Sequence, residues 1–123
     1  MTLRETCEAH VADLRVREGV ERVIVARTDG VAVVDDGVLD DRERAAASAA
    51  SLAGIVDLAA RSLGVDDTQG AVIYGHDRQV ITRRIDDRLL LVVLARVGGA
   101  ADGIYPLVRR ISEQIAAAVA STP

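Results

Sequence analysis

Chemically reactive residues are scarce in this sequence of 123 residues. It contains one cysteine, two histidines and no lysine. A single cysteine excludes an internal disulfide and a cysteine-rich metal cluster, and it fits a reducing environment. Without lysine, neither a Schiff base nor the lysine of a phosphate-binding P-loop can form. The composition therefore argues against several common classes of enzyme.

Aromatic residues and long apolar runs are also scarce. Only two residues are aromatic, both tyrosine, although half of the chain is hydrophobic, so the core must consist of Val, Ile, Leu and Ala. The longest apolar run, residues 89–95, is too short to cross a bilayer, and residues 1–10 carry charges where a signal peptide needs apolar residues. A net charge of -4, with arginines scattered among carboxylates, leaves no basic stripe for nucleic acid. We expect a cytoplasmic protein with neither membrane insertion nor nucleic-acid binding.

Hydrophobic spacing predicts a helix followed by a β-hairpin at the start of the chain. Apolar residues recur at helical spacing over residues 2–17, where Thr2 and Glu5 occupy the positions of a capping box. An Asp-Gly pair then separates two runs of β-branched residues, 23–26 and 31–34. Such a pair between two strands is a strong signal for a tight hairpin.

A long second helix is predicted to begin at a cap provided by Asp40 or Asp41 and to end near Gly64. Its larger apolar side chains fall on one side of a helical wheel, namely Leu52, Ile55, Val56, Ala59 and Leu63. The other side is a small-residue strip with charges toward its ends, consisting of Glu43, Ala46, Ala50, Ala53, Gly54, Asp57 and Arg61. A strip of this kind lets a second backbone approach closely, although alanine is also simply a good helix former.

The second half of the chain predicts a three-stranded meander and a closing helix. The strands are residues 71–74, 80–85 and 89–95, and apolar positions at helical spacing follow from Ile104 to Ala118. The first and fifth strands are apolar on both faces, which requires helices on both sides of the sheet. The predicted fold class is α/β, in the α+β sense: three layers, α/β/α, around a five-stranded antiparallel sheet.

The order of these elements resembles the Roadblock family, which includes dynein light chains and bacterial partners of small GTPases. The resemblance is carried by Gly19 and Val20 before the first strand, the Arg-Thr-Asp-Gly turn at 27–30, the alanine-rich run from Ala45, and residues 104–110. It implies a single Roadblock/profilin-like domain over residues 1–123, with 121–123 as a frayed tail.

The resemblance also implies partners. Family members typically dimerise through the second helix and the third strand, and the third strand of this chain has no charge or proline to protect its edge. The expected dimer interface consists of Ala46, Ala50, Ala53, Gly54, Asp57, Ala71, Val72, Ile73 and Tyr74. Bacterial members resemble regulators of small Ras-like GTPases, and the charges that could border such a partner are Arg42, Glu43 and Arg61.

Residues that could bind metal or perform catalysis are few and far apart. His10 lies beside the apolar stripe of the first helix and His76 lies in a turn, with no third ligand at a suitable spacing. Cys7 falls on a core position, which predicts a buried and inert thiol. We therefore expect no catalytic residue, no cofactor and no metal.

The runs of charged residues are also explained more simply by structure than by ligand binding. The acidic pairs at 35–36 and 40–41 could attract a divalent cation, but helix capping and a solvated loop explain them more simply. The arginine pair at 83–84 together with Arg88, and separately the pair at 109–110, could dock an acidic partner, but such runs usually mark a solvated face.

Two other classes of function compete with a homodimeric, non-catalytic module that binds a small GTPase. A PAS-like ligand-sensing or signalling module also packs helices on a five-stranded antiparallel sheet, but this chain has few aromatic residues to line a pocket. A small hydrolase ranks last, because two histidines and one cysteine supply no nucleophile, base and orienting group. The resemblance leaves open which GTPase is bound and whether its GTP hydrolysis changes.

Overall fold

The computed structural model describes residues 1–121, so the last two residues of the expected tail, 122 and 123, lie outside the described part. Within it the chain forms α1 (Leu3–Arg15), β1 (Val20–Arg27), β2 (Ala32–Asp35), α2 (Leu39–Ser62), β3 (Gly70–Tyr74), β4 (Arg78–Arg84), β5 (Leu89–Arg96) and α3 (Tyr105–Ala120). The order of elements matches the prediction. No helix within residues 1–121 has the length and apolar character needed to span a membrane.

The capping box at the start of α1 is confirmed. The Thr2 hydroxyl accepts a hydrogen bond from the Glu5 N–H at 3.1 Å, and the Glu5 carboxylate accepts one from the Thr2 N–H at 3.1 Å. Because these bonds satisfy backbone donors that the first turn leaves unpaired, they fix where the helix begins. Beyond the helix, Gly19 adopts a φ of 87°, a left-handed conformation that favours glycine, as the chain turns into β1.

The sheet is antiparallel throughout, in the order β2-β1-β5-β4-β3. The predicted hairpin forms β1 and β2, although β1 begins earlier than predicted, at Val20. Within the described residues β3 pairs only with β4, so its other edge is free. The strand at the other end of the sheet, β2, likewise pairs with one strand only, but its last two residues are buried, whereas the last two residues of β3 are exposed.

The main core lies between the sheet and the pair formed by α1 and α3. It contains the large buried side chains of both helices and of β1, β4 and β5, among them Val11, Leu14, Val25, Ile81, Leu91, Ile111 and Ile115. On the opposite face α2 covers a smaller cluster, made of Ile24, Ala26 and Val92 from the sheet with Ala46 and Ala49 from the helix. The three-layer α/β/α prediction is confirmed.

The start of α2 differs from the prediction. Its N-cap is Val38, which makes no side-chain capping bond, and both Asp40 and Asp41 lie in the first turn instead. The reason is that the Asp41 carboxylate accepts a hydrogen bond from the Arg22 guanidinium at 2.8 Å. Carboxylates in a first turn also interact favourably with the positive end of the helix dipole.

The orientation of α2 is the main correction to the sequence analysis. Ala46 and Ala49 of the helix are 0% and 7% exposed against the sheet, whereas Ile55 and Leu58 are 64% and 61% exposed. The small residues face the sheet because they allow the helix backbone to lie close to β1 and β5. Ala46, which was expected at a dimer interface, is therefore covered by the chain's own sheet instead.

Candidate interaction surface on the second helix and the edge strand

A charged network holds the first turn of α2 to the sheet. The Arg22 guanidinium donates to both carboxylate oxygens of Asp35, at 2.8 and 2.7 Å, and to Asp41 at 2.8 Å. The Asp35 side chain is fully buried and that of Arg22 is 18% exposed. A bidentate arginine–carboxylate pair has a fixed geometry, so this network sets the angle at which α2 leaves the sheet.

The electrostatics of Asp35 are determined by two opposing effects. Burial raises the pKa of its carboxyl, but hydrogen bonds from Arg22 and from the Gly37 N–H, together with the nearby positive charges, outweigh burial and hold the pKa below its ordinary value. Conversely, the bond to Asp35 raises the pKa of Arg22. A Cβ at position 37 would overlap the Arg22 guanidinium, so a larger residue here would force that side chain to move. Asp35 therefore stays charged and paired at neutral pH.

The second half of α2 is only partly covered by its own chain. Of the helix residues after Ala49 that the structure describes, none is buried, and Gly54 has no atom near the position that a Cβ would occupy. Ile55 and Leu58 point away from the sheet, and beyond the helix Leu63 is 84% exposed. Large apolar side chains exposed together commonly mark a surface that another molecule covers.

The edge strand β3 also exposes apolar side chains. Val72 packs against the core beneath α1 and α3, so strand alternation places Ile73 on the α2 side of the sheet. Ile73 is opposite Val80 and is 43% exposed, and Tyr74, on the other side, is 69% exposed. We refer to Ile55, Leu58 and Ile73 together as the apolar surface. Ile73 lies on an unprotected strand edge, which is a template for pairing with another strand.

The residues expected at a dimer interface occupy different environments. Ala46 is covered by its own sheet, so a partner could reach it only by displacing α2. The other members of the strip differ: Ala50, Ala53 and Asp57 are half-buried and Gly54 is exposed. In β3, Ala71 and Val72 are half-buried and Ile73 and Tyr74 are exposed.

The three charged residues expected to border a partner also differ in how accessible they are. The Arg42 guanidinium donates to the Gly37 carbonyl at 3.0 Å and is half-buried, so it supports the loop before α2. Glu43 is exposed. The Arg61 side chain is 58% exposed and pairs with Asp57 at 3.2 Å. Glu43 and Arg61 are therefore accessible to a partner, while Arg42 has a structural contact within the chain.

Ile55 and Leu58 were not predicted as surface residues. The relevant signal was present, because α2 has apolar residues on more than one side, and a single sheet can cover only one of them. The burial of Ala46 and Ala49 decides which side is covered. A helix with two apolar sides in a chain this short indicates a second surface to be covered by another molecule.

The residues considered for metal binding or catalysis make ordinary contacts within the fold. His10 Nδ1 lies 2.9 Å from the Thr6 carbonyl, one helical turn earlier. Burial raises the pKa of the Cys7 thiol to about 11, with smaller contributions from Asp86 and Glu8. Within residues 1–121, no group of three or more His, Cys, Asp or Glu residues is placed to hold a metal ion.

The chain belongs to the Roadblock/LC7 domain family, whose model matches residues 7–95. The resemblance inferred from the sequence is thereby confirmed, and the alternative of a PAS-like module is not supported. No curated protein sequence matches the chain.

Solved structures show the same fold. The gliding protein MglB from Thermus thermophilus has a TM-score of 0.83 and 16% identity, over 99% of this chain and 94% of that one. MglB from Myxococcus xanthus has a TM-score of 0.79 and 14% identity, over 98% and 96%. A Roadblock/LC7 domain from Streptomyces avermitilis has a TM-score of 0.80 and 15% identity, over 98% and 100%.

Proposed function

We propose that this protein is a homodimeric, non-catalytic regulatory module of the cytoplasm that binds a small Ras-like GTPase. The observation that supports it most is the apolar surface beside the free edge of β3. Family members with this fold resemble GTPase regulators, and the solved relatives include MglB from two organisms.

The proposed dimer pairs β3 with β3 of a second copy. Pairing would satisfy the free backbone groups of the edge and would cover Ile73 at the same time. Relative to the sequence expectation, the contact on α2 shifts away from Ala46 and toward the flank of the helix that includes Val56, which lines a small cleft together with Gly70 of β3. The half-buried apolar residues of that flank are Leu52 and Val56.

The dimer contact can be tested with one substitution in the strand. Ile73→Arg introduces a charge that the paired sheet would leave without a partner, and burying an unpaired charge costs several kcal/mol. We expect this variant to sediment as a monomer with an unchanged circular dichroism spectrum. Val16→Arg is the matched control, because Val16 is 81% exposed on the far side of the sheet. A dimer of unchanged stability in Ile73→Arg would contradict pairing through β3.

The proposed GTPase site is the outward side of α2, centred on Ile55 and Leu58. Because these side chains point away from the sheet, they remain accessible when β3 is paired. Glu43 and Arg61 border this side and supply charges of opposite sign. Charges at the rim of an interface mainly affect the rate of encounter and its salt dependence, whereas a central apolar side chain affects affinity.

Calorimetric titration tests the GTPase proposal. The probe is a small Ras-like GTPase retained by the dimer from native cytosol, purified and loaded with either GDP or a non-hydrolysable GTP analogue. Leu58→Ser should weaken its binding by about tenfold through lost apolar burial, and Arg61→Glu should change the salt dependence. Val16→Ser should bind like the wild type. If no small GTPase binds in either nucleotide state, the regulatory proposal is wrong.

A further inference from the structure

A cleft lies on the opposite side of the sheet from α2. It has a volume of about 460 Å³ and forms where the β1–β2 turn, the β4–β5 turn, the start of α1 and the end of α3 converge. This volume is within the range of small-molecule sites. The cleft plays no part in the proposed GTPase function, so the two proposals stand or fall separately.

The floor of the cleft is apolar. Leu3, the first residue of α1, is 40% exposed and contributes its accessible part to the lining. Leu89 is 2% exposed beneath it, and the half-buried Val119 of α3 completes the floor. A ligand that lies here can therefore bury an aliphatic or ring portion.

The wall of the cleft is held in place by bonds between the two turns. The Thr28 N–H donates to the Arg88 carbonyl at 2.8 Å, and the Thr28 hydroxyl donates to the Asp87 carbonyl at 3.2 Å. The Asp86 carboxylate accepts hydrogen bonds from the backbone N–H groups of Arg88 and Leu89, at 2.8 and 2.9 Å. The polar wall is thus ordered before any ligand binds.

In the wall of the cleft, the Arg88 guanidinium has its N–H donors free. Arg27 is paired with Asp29, and Asp86 is occupied by the turn. The Arg88 guanidinium is exposed and forms no hydrogen bond or ion pair within residues 1–121. A guanidinium offers two parallel N–H donors that match a carboxylate. The nearby carboxylates of Asp29 and Asp86 would repel a second negative charge, which disfavours a phosphate dianion.

We propose that this cleft binds a small amphiphilic monocarboxylate, with its apolar portion on Leu3, Leu89 and Val119 and its carboxylate on Arg88. The ligand class follows from the combination of an apolar floor, one free guanidinium and two neighbouring acidic residues. The geometry assigns Arg88 as the residue that selects a single negative charge.

The test is an NMR titration of the intact protein with octanoate, alongside octanol and octyl phosphate as probes of head-group charge. Octanoate should shift the amides of Leu3, Leu89 and Val119 in a saturable way and bind at least about tenfold more tightly than either other probe. Arg88→Gln should weaken octanoate binding by about tenfold. Arg110→Gln is the control, since Arg110 is exposed on α3 but does not line the cleft.

A second variant separates loss of binding from loss of folding. Leu3→Asp places a negative charge in the floor, yet an acidic residue in the first turn favours the helix, so α1 should remain folded. Octanoate binding should be abolished in this variant while the amide spectrum stays dispersed. The proposal is overturned if octanoate shifts none of the floor amides, if octanol or octyl phosphate binds as well, or if Arg88→Gln binds octanoate as well as Arg110→Gln does.

Discussion

Arg22 provides the sharpest test of how the structure holds α2 in place. In Arg22→Met the aliphatic part of the side chain is kept, but the fully buried Asp35 carboxylate loses both guanidinium bonds and keeps only the Gly37 N–H. Removing one partner of a buried ion pair costs about 3–5 kcal/mol. We expect a value of about 3 kcal/mol, because the carboxyl can be protonated instead. For a chain of this length that lowers the melting temperature by roughly 10 °C.

The assay is thermal unfolding followed by circular dichroism at one fixed protein concentration, because association would otherwise shift the transition. Arg44→Met is the control: the Arg44 side chain is 82% exposed and lies 3.9 Å from Asp41, so its loss should cost under about 0.5 kcal/mol. The double variant Arg22→Met with Asp35→Asn should recover most of the loss, because a neutral amide carries no unpaired charge. Equal melting temperatures for Arg22→Met and Arg44→Met would refute the reasoning.

The pH dependence gives an independent check. In the wild type the pKa of Asp35 is below its ordinary value, so its contribution to stability is present above about pH 4 and is lost as pH falls through the lowered pKa. In Arg22→Met burial dominates and raises this pKa, so the variant gains relative stability when acid protonates the carboxyl. The difference in stability between the two proteins should therefore narrow from pH 7 toward pH 4. A difference that is constant over this range would contradict the assignment.

Three further predictions follow from packing and burial. Ala46→Leu should overpack the layer between α2 and the sheet and cost about 1–3 kcal/mol in urea unfolding, whereas the exposed Ala9→Leu should change stability little. Gly37→Ala should displace the Arg22 guanidinium and lower the melting temperature by a similar mechanism to Arg22→Met, and an unchanged transition would show that the loop can relax. Cys7 should react with iodoacetamide at pH 8 more than about a hundredfold more slowly in the native protein than in urea, because it is buried and its pKa is about 11.

Much of the fold was predictable because its signals are local. The Thr2 capping box and the Asp-Gly turn act over a few residues, so the sequence alone places α1 and the first hairpin. The order of elements was sufficient to identify the family. These features needed no knowledge of long-range contacts.

The orientation of α2 was not predictable in the same way. A helical wheel separates small from large side chains, but it does not say which set lies on the sheet. That choice depends on long-range features, namely the close approach of Ala46 to Ile24 and Val92 and the ion pairs that Arg22 makes across the chain. The same interactions turned Asp41 from an expected cap into a partner of Arg22 and exposed Leu58.

The central claim is that the free edge of β3, with Ile73 on it, is covered by a second copy of the chain. Multi-angle light scattering on the wild-type protein at micromolar concentration tests it most directly. We expect a mass of twice 13.0 kDa for the wild type, and a shift toward 13.0 kDa in Ile73→Arg but not in Val16→Arg. A wild-type mass of 13.0 kDa across the concentration range would contradict it.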